Sequence, residues 1–253
     1  MSQRIFFACV PLLALLLLGG CSGDGPTGPL VPEPFERTFD FESDAEGWAG
    51  DFADLPADAS SDFYGLVFEH RPLPAEIGKA GAALYLAGDN HSDDLFMYVR
   101  RRLDGLTPNT TYTVHLRAEV ATNAPSGCFG IGGPPGEGVY LRAGAATAEP
   151  RPVTESDGWR RLNVDKGNQA ADGTQALVID HIANGDPCEE PARYRLRTFD
   201  TREARTPSGA LKPALTARSD AAGALWVFLG TDSGFEGLTA IYIDAVTVRL
   251  EPV

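Results

Sequence analysis

The 253-residue chain lacks the short motifs that mark most catalytic and nucleotide-binding sites, and it contains little cysteine. Its four cysteines form neither a CxxC pair nor a cysteine and histidine zinc pattern. A G-x-S-x-G nucleophile elbow, an H-E-x-x-H motif and a Walker loop are also missing. These absences favour a protein without catalytic activity. They leave one enzyme class open, because the paired carboxylates of a glycoside hydrolase are not recognisable from sequence spacing.

Basic residues and helical patterns are scarce as well. The sequence has 21 lysines and arginines against 35 aspartates and glutamates, which gives a formal net charge of -14. A surface of this charge repels phosphate backbones, so we expect no nucleic-acid partner. No stretch of useful length repeats apolar residues every 3.6 positions, whereas 43% of the residues are hydrophobic, as in folded globular proteins.

Only one long apolar run is present, and it lies at the N-terminus. Residues 5–18 are apolar almost without interruption, follow Arg4 and lead into Gly19 and Gly20. This run is too short to cross the ~30 Å hydrocarbon core of a bilayer comfortably. A positive head, an apolar middle and a small-residue end are typical of a signal peptide, which we predict over residues 1–20.

The sequence LGGC at 18–21 resembles a bacterial lipobox. The resemblance implies that Cys21 is lipidated, that cleavage occurs before it, and that several acyl chains hold the protein to a lipid bilayer. Ser22 follows where inner-membrane lipoproteins carry aspartate, which favours the outer membrane if the host is Gram-negative. Residues 21–34 are rich in glycine and proline, and we expect them to form a flexible tether. The alternative is an ordinary secretory signal with an incidental cysteine.

Two cysteines remain for the folded part of the chain. Cys9 leaves with the signal peptide and Cys21 carries lipid, so that Cys128 and Cys188 are left as an even pair. In an oxidising compartment such a pair is expected to form one disulfide. Two free thiols are the alternative.

From residue 35 onward, apolar and polar residues alternate, and turn-forming residues interrupt them about every ten positions. In residues 111–122, for example, Tyr112, Val114 and Leu116 alternate with polar side chains. We predict one all-β domain over residues 35–253, a sandwich of two antiparallel sheets. The eleven predicted strands cover 37–41, 65–70, 82–86, 94–103, 111–122, 138–143, 159–164, 175–182, 194–198, 224–230 and 239–250, with a long excursion over 200–220.

Three segments of this domain resemble a known family. The residues are FDFE at 39–42 with GW at 47–48, GLTPNTTY at 105–112 and YIDAVTV at 242–248. They resemble the galactose-binding-like β-sandwich modules found among carbohydrate-binding modules, which implies a jelly roll. NHSDDLFM at 90–97, GIGG at 130–133 and DKGN at 165–168 resemble uncharacterised bacterial envelope proteins, which implies no activity.

Asp244 is a candidate metal ligand. If Tyr242, Val246 and Val248 share one face of the last strand, Asp244 lies on the same apolar face, where a carboxylate needs a cation, backbone N–H groups, a metal or a proton. The family resemblance implies a structural calcium ion held by Glu42 and Asp244. The alternative is an Asp244 carboxylate capped by backbone amides or an arginine.

Trp226 and residues 89–94 are the candidates for ligand binding. Trp226 lies in a strand with two apolar faces, so either a loop covers the second face or Trp226 lies in a ligand groove. Asn90 and Asp93 belong to a polar loop whose carboxylates and imidazole could ligate a cation or serve as acid and base, and a solvated loop explains them equally well. His181 is expected to be a satisfied core histidine or a semi-buried one rather than a ligand.

These patterns predict a lipid-anchored protein of the bacterial cell envelope whose β-sandwich binds an extracellular or envelope ligand without catalysis. The family resemblance favours a glycan as that ligand, although a fold does not fix a function. One alternative is a structural or assembly lipoprotein that contacts other envelope proteins. A weaker alternative is a glycoside hydrolase that uses two carboxylates.

Overall fold

The computed structural model describes residues 31–189 and 191–253, so the predicted signal peptide, the Cys21 lipidation site and most of the tether lie outside the described residues. In this part of the chain, no helix is long and apolar enough to span a membrane. A single short 3-10 helix there covers Ala75–Ile77. The strands are β1 Phe35–Phe39, β2 Ala49–Ala53, β3 Leu55–Pro56, β4 Val67–Pro72, β5 Ala82–Asp89, β6 Leu95–Leu103, β7 Thr111–Thr122, β8 Val139–Ala146, β9 Pro152–Thr154, β10 Trp159–Leu162, β11 Gly167–Asn168, β12 Ala171–Asp172, β13 Ala176–His181, β14 Arg195–Asp200, β15 Leu215–Arg218, β16 Leu225–Ser233 and β17 Leu238–Pro252.

The larger sheet has seven antiparallel strands and is built around two long ones, β7 and β17. Strand β17 pairs with β7 along one edge, and along its other edge it pairs first with β5 and then with β1. Strands β14 and β15 follow each other along the free edge of β7, and β4 lies outside β5. The first and last strands of the domain are therefore neighbours.

The smaller sheet has five antiparallel strands in the order β13-β8-β16-β6-β2. Strands β3, β10 and β9 form a separate small sheet, and β11 pairs with β12.

Alternation along the strands places one face of each sheet in a shared core. Leu225, Val227 and Leu229 of β16 enter it from the smaller sheet, and Val246 and Val248 of β17 enter it from the larger sheet. All five side chains are fully buried. The predicted fold class, an all-β jelly-roll-type sandwich of two antiparallel sheets, is confirmed.

The outer face of the smaller sheet is also covered. Phe96 and Tyr98 of β6 stack with 4.9 Å between ring centroids, and Phe228 of β16 meets both rings edge-on. Leu162 of β10 and Val164 just after it pack against this second cluster. The segment that contains Leu162 and Val164 therefore covers the second apolar face of β16 at Phe228.

Several strand predictions differ from the structure, at the first strand and in the excursion among other places. The first strand ends at Phe39 rather than at Phe41, because Phe41 has a φ of 57°, which an extended strand does not accommodate. The excursion predicted over residues 200–220 contains a further strand, β15, which pairs with β7. Its four residues are too few to show a periodic pattern in the sequence.

Because of a bulge in β17, Tyr242 lies on the opposite face of the sheet from the one predicted. The pairing with β7 shifts register between Ile243 and Ala245, so that Ile243 and Val246 both face the shared core. Tyr242 lies on the opposite face in a separate small cluster. The prediction that Tyr242 shares a face with Val246 is wrong, because counting by two fails across a bulge.

Cys128 and Cys188 form the predicted disulfide, with an S–S distance of 2.06 Å. The bond joins the loop between β7 and β8 to the loop between β13 and β14. Beside it, the Ser126 N–H donates to the Asp186 carbonyl oxygen at 2.8 Å. Two loops that are distant in the sequence are thus fixed to each other at one end of the sandwich.

Candidate functional site

A cleft of about 430 Å³ opens between β13 and β14, which are edge strands of the smaller and the larger sheet. The loop after β14 borders the cleft, and Tyr140 of β8 extends its wall. A cleft of this volume can accept a small organic ligand. It exists because two edge strands from different sheets lie side by side without pairing.

The cleft has an apolar floor and a polar rim. Ile179 and Phe199 form part of the floor and are buried, whereas Asp180, Thr198 and Glu203 are exposed at the rim. In β14, alternate residues face opposite sides, so that Phe199 packs into the core while Thr198 faces solvent. Apolar surface with a few convergent polar groups is the usual composition of a ligand site.

Arginines hold two carboxylates of the cleft. Arg197 Nη2 lies 2.8 Å from Asp180 Oδ2, and Arg202 Nη2 lies 2.7 Å from Asp200 Oδ2. Burial acts to raise the pKa of Asp200, but its hydrogen bonds with Arg202 outweigh burial and leave the pKa below its ordinary value. At neutral pH, Asp200 is therefore a charged hydrogen-bond acceptor and not a proton donor.

The loop between β14 and β15 is fastened to the smaller sheet. Lys212 Nζ donates to Asp172 Oδ1 at 2.7 Å and to the Val178 carbonyl oxygen at 2.9 Å. Only 7% of the Lys212 side chain is exposed. Arg205 and Leu211 form a bridge within the loop. The loop therefore forms a fixed wall of the cleft.

Two residues with ring side chains line the cleft from neighbouring strands. His181 of β13 is the cross-strand partner of Tyr140 of β8, and both residues are half-buried. The Nδ1 atom of His181 is buried and has no hydrogen-bond partner. The sequence places His181 correctly as semi-buried, but it gives no sign that the ring lines a cleft.

The residues predicted to bind ligand lie elsewhere. Trp226 is half-buried at the start of β16. Asn90 is buried near the other end of β16, where its Nδ2 donates to the carbonyl oxygens of Ser233 at 2.9 Å and Phe235 at 3.0 Å. The carbonyl oxygen of Asp93 accepts a hydrogen bond from a glutamine side chain. The structure does not bring these three residues together, and their ligand-binding role stays a prediction.

The carboxylate of Asp244 has a lysine partner. Lys79 Nζ lies 2.7 and 3.0 Å from its two oxygens, and the Asp244 side chain is only 2% exposed. The hydrogen bond with Asp244 is the main cause that raises the pKa of Lys79, and the charge of Glu42 acts in the same direction. The Glu42 carboxylate lies against Gly81. The calcium ion held by Glu42 and Asp244 stays a prediction.

Three acidic residues come together on the outer face of the smaller sheet, namely Asp54, Asp94 and Asp232. Burial is the main cause that raises the pKa of Asp94 to about 8, and the charges of Asp232 and Asp54 add to it. Burial also raises the pKa of Asp54. Sequence reasoning missed Asp54 and Asp232. The available signal was Asp232 itself, since an acidic residue in an apolar strand needs a partner.

No protein-family model matches the chain, and no curated protein matches it. Several solved structures align with most of its length at low similarity. The K1 cleaved adhesin domain of Lys-gingipain from Porphyromonas gingivalis is 12% identical, with 85% of this chain and 97% of that domain covered and a TM-score of 0.36. The mannan-recognising carbohydrate-binding module TmCBM27 is 14% identical, with coverage of 86% and 98% and a TM-score of 0.36. The family 11 carbohydrate-binding module of the cellulase Lic26A-Cel5E from Clostridium thermocellum is 9% identical, with coverage of 87% and 95% and a TM-score of 0.35.

Proposed function

We propose that the chain is a lipid-anchored protein of the bacterial envelope that binds a glycan in the cleft between β13 and β14, without catalysis. The cleft carries this proposal, because it sets the rings of Tyr140 and His181 beside the polar groups of Asp180, Thr198 and Glu203. The apolar face of a sugar packs against aromatic rings, and its hydroxyl groups donate to carboxylates.

The lowered pKa of Asp200 in the cleft favours binding over glycoside hydrolysis. A glycoside hydrolase needs one carboxylic acid that keeps its proton in order to protonate the leaving group. The pKa of Asp200 is lowered, and Asp180 is paired with Arg197. Asp94, whose pKa is raised, is not among the residues that line the cleft.

Binding can be tested with a glycan array, followed by isothermal titration of the purified full chain with the sugars that it retains. We expect Glu203→Gln to weaken binding about tenfold or more, because a charged acceptor for sugar hydroxyl groups is lost. Glu69→Gln is the matched control, since Glu69 is an exposed carboxylate of β4 that does not line the cleft. This control should bind as the parent does.

Other results would favour the alternatives. Loss of binding in Trp226→Ala together with parental binding in Glu203→Gln would place the site in the groove predicted at Trp226. If the array retains no sugar and crosslinking in cells recovers an envelope protein, a structural or assembly role replaces the present proposal. Release of new reducing ends from a bound glycan would establish a hydrolase.

The lipid anchor is part of the same proposal and rests on the LGGC sequence at 18–21. Labelled palmitate fed to the cells should be incorporated into the parent chain and not into Cys21→Ser. In a Gram-negative host, the parent should fractionate with the outer membrane and Ser22→Asp with the inner membrane. A Cys21→Ser chain that still takes up label and stays in the membrane fraction would contradict lipidation at this cysteine.

A further inference from the structure

Three carboxylates converge on the outer face of the smaller sheet because their strands are neighbours. Asp54 comes directly after Ala53, the last residue of β2, Asp94 comes directly before β6, and Asp232 lies in β16. Strand β6 pairs with both β2 and β16, which brings the three side chains to one end of the sheet. One oxygen atom from each carboxylate lies within 4.8 Å of the other two.

Two basic side chains contact this group, but only through one oxygen of each carboxylate they reach. Lys166 Nζ lies 2.7 Å from Asp54 Oδ2 and 2.7 Å from Asp232 Oδ2. Arg142 Nη2 lies 2.9 Å from the same Asp232 Oδ2. Neither basic side chain makes an ion pair with the third carboxylate, Asp94, which lies in a largely buried place.

Two other oxygens of this group have no hydrogen-bond partner. Asp232 Oδ1 accepts no hydrogen bond, although the Asp232 side chain has no solvent exposure at all. Asp94 Oδ1 is likewise buried and without a hydrogen bond. Buried carboxylate oxygens are seldom left unsatisfied in native proteins, and a ligand that accounts for them must be positively charged or must donate hydrogen bonds.

We propose that Asp54, Asp94 and Asp232 bind a calcium ion. Calcium takes carboxylate oxygens at 2.3–2.6 Å, so two oxygens on one ion lie at most about 5 Å apart, and the separations here fall within that limit. Magnesium, with shorter bonds of 2.0–2.1 Å, requires a tighter cluster. A cleft of about 290 Å³, lined by Asp54, Asp94 and Lys166, gives the ion an entry path and room for coordinated water.

This site is separate from the calcium site predicted at Glu42 and Asp244. Those residues adjoin the larger sheet, where Asp244 belongs to β17 and its carboxylate contacts Lys79. The two sites share no residue, so substitutions can distinguish them.

The test is isothermal titration of calcium chloride into the purified full chain after treatment with a chelator. We expect a binding event that Asp94→Asn weakens at least about tenfold, which is the lower bound for losing even a residue that supports a metal ligand. Asp58→Asn is the matched control, because it makes the same chemical change at an exposed aspartate that is not one of the three converging carboxylates. Asp58→Asn and Glu42→Gln should both retain this event.

Lys166→Met provides a test with the opposite sign. Its ammonium group, 2.7 Å from two of the three ligands, repels an incoming cation, so its removal should strengthen calcium binding by about tenfold or more. A variant that merely loosened the fold would bind more weakly. The proposal is overturned if the parent shows no calcium binding, if a folded Asp94→Asn binds as the parent does, or if only Glu42→Gln loses the event.

Discussion

The ion pair between Asp200 and Arg202 should make stability depend on pH in the acid range. A carboxyl with a folded-state pKa below its unfolded value of about 3.9 stabilises the fold fully above that value, and the contribution is lost as pH falls through the folded-state pKa. We expect Arg202→Gln to lower the free energy of unfolding by about 1 kcal/mol at pH 7, since Arg202 itself is half exposed. Urea denaturation between pH 7 and pH 2 measures this difference.

The difference between parent and Arg202→Gln should shrink below about pH 4, where Asp200 takes up a proton in the unfolded and then in the folded state. Arg102→Gln is the control, because its partner Asp104 is exposed and the pair contributes little at any pH. A difference for Arg202→Gln that stays constant down to pH 2 would mean that Arg202 stabilises by packing rather than by charge.

Two buried aspartates show what the sequence can predict for single residues. That Asp244 needs a partner follows from its place in an apolar strand. That the partner is Lys79 does not follow, because Lys79 lies 165 positions away and only the fold brings it close. The same holds for Asp232 and Lys166, which are 66 positions apart. Sequence patterns identify a buried carboxylate that needs an ion-pair partner, and tertiary packing determines which residue that partner is.

At the scale of elements, the disulfide between Cys128 and Cys188 should be a large local contribution to stability. It closes a loop with a sequence separation of 60, which on the chain-entropy account stabilises by about 4 kcal/mol. We expect the double variant Cys128→Ala and Cys188→Ala to lose about that much in urea denaturation. The parent with the disulfide reduced should lose a similar amount, and an unchanged midpoint in both samples would contradict the prediction.

Strand β16 offers a matched pair of aromatic substitutions. Phe228 and Trp226 lie on the same outer face, but Phe228 is fully buried under the segment that contains Leu162 and Val164, whereas Trp226 is half-buried. We expect Phe228→Ala to cost about 3 to 5 kcal/mol in the free energy of unfolding, and Trp226→Ala to cost clearly less. Equal losses in the two variants would mean that Trp226 is as much a core residue as Phe228.

Long alternating strands are predictable from the sequence and short ones are not. Strand β7 has the predicted bounds of Thr111–Thr122, because its residues alternate from Thr111 to Val120. Strand β2, Ala49–Ala53, was missed because its sequence AGDFA does not alternate, and β3 was missed because two residues cannot display a period. Their place in the fold comes from pairing with β6 and β10.

At the scale of the whole molecule, the layered architecture was predictable but the cleft was not. Two packed antiparallel sheets follow from the spacing of strands and turns. The cleft forms because β13 and β14 are neighbouring edge strands of different sheets and because Lys212 fastens the loop between β14 and β15. Neither relation is encoded by local periodicity. Trp226 and Asn90, which the sequence singled out as ligand residues, therefore do not line it.

The sheet order also makes the C-terminal strand necessary for folding. Strand β17 pairs with β7 on one side and with both β5 and β1 on the other, so the larger sheet has no continuous hydrogen-bonded centre without it. It also supplies the fully buried side chains of Ile241, Ile243, Val246, Val248 and Leu250. At roughly 1.5–3 kcal/mol for each buried aliphatic side chain, their loss is comparable to the whole net stability of about 5–15 kcal/mol.

We therefore expect a chain truncated after Gly237 to remain unfolded although most of the domain is still present. The near-ultraviolet circular dichroism spectrum of the truncated chain should lose its aromatic signal. Limited proteolysis should cleave the truncated chain rapidly throughout the domain. Deletion of residues 31–34, which are exposed and precede β1, is the control and should leave the unfolding transition unchanged. A cooperative urea transition in the truncated chain would mean that the smaller sheet and its outer cluster fold independently of β17.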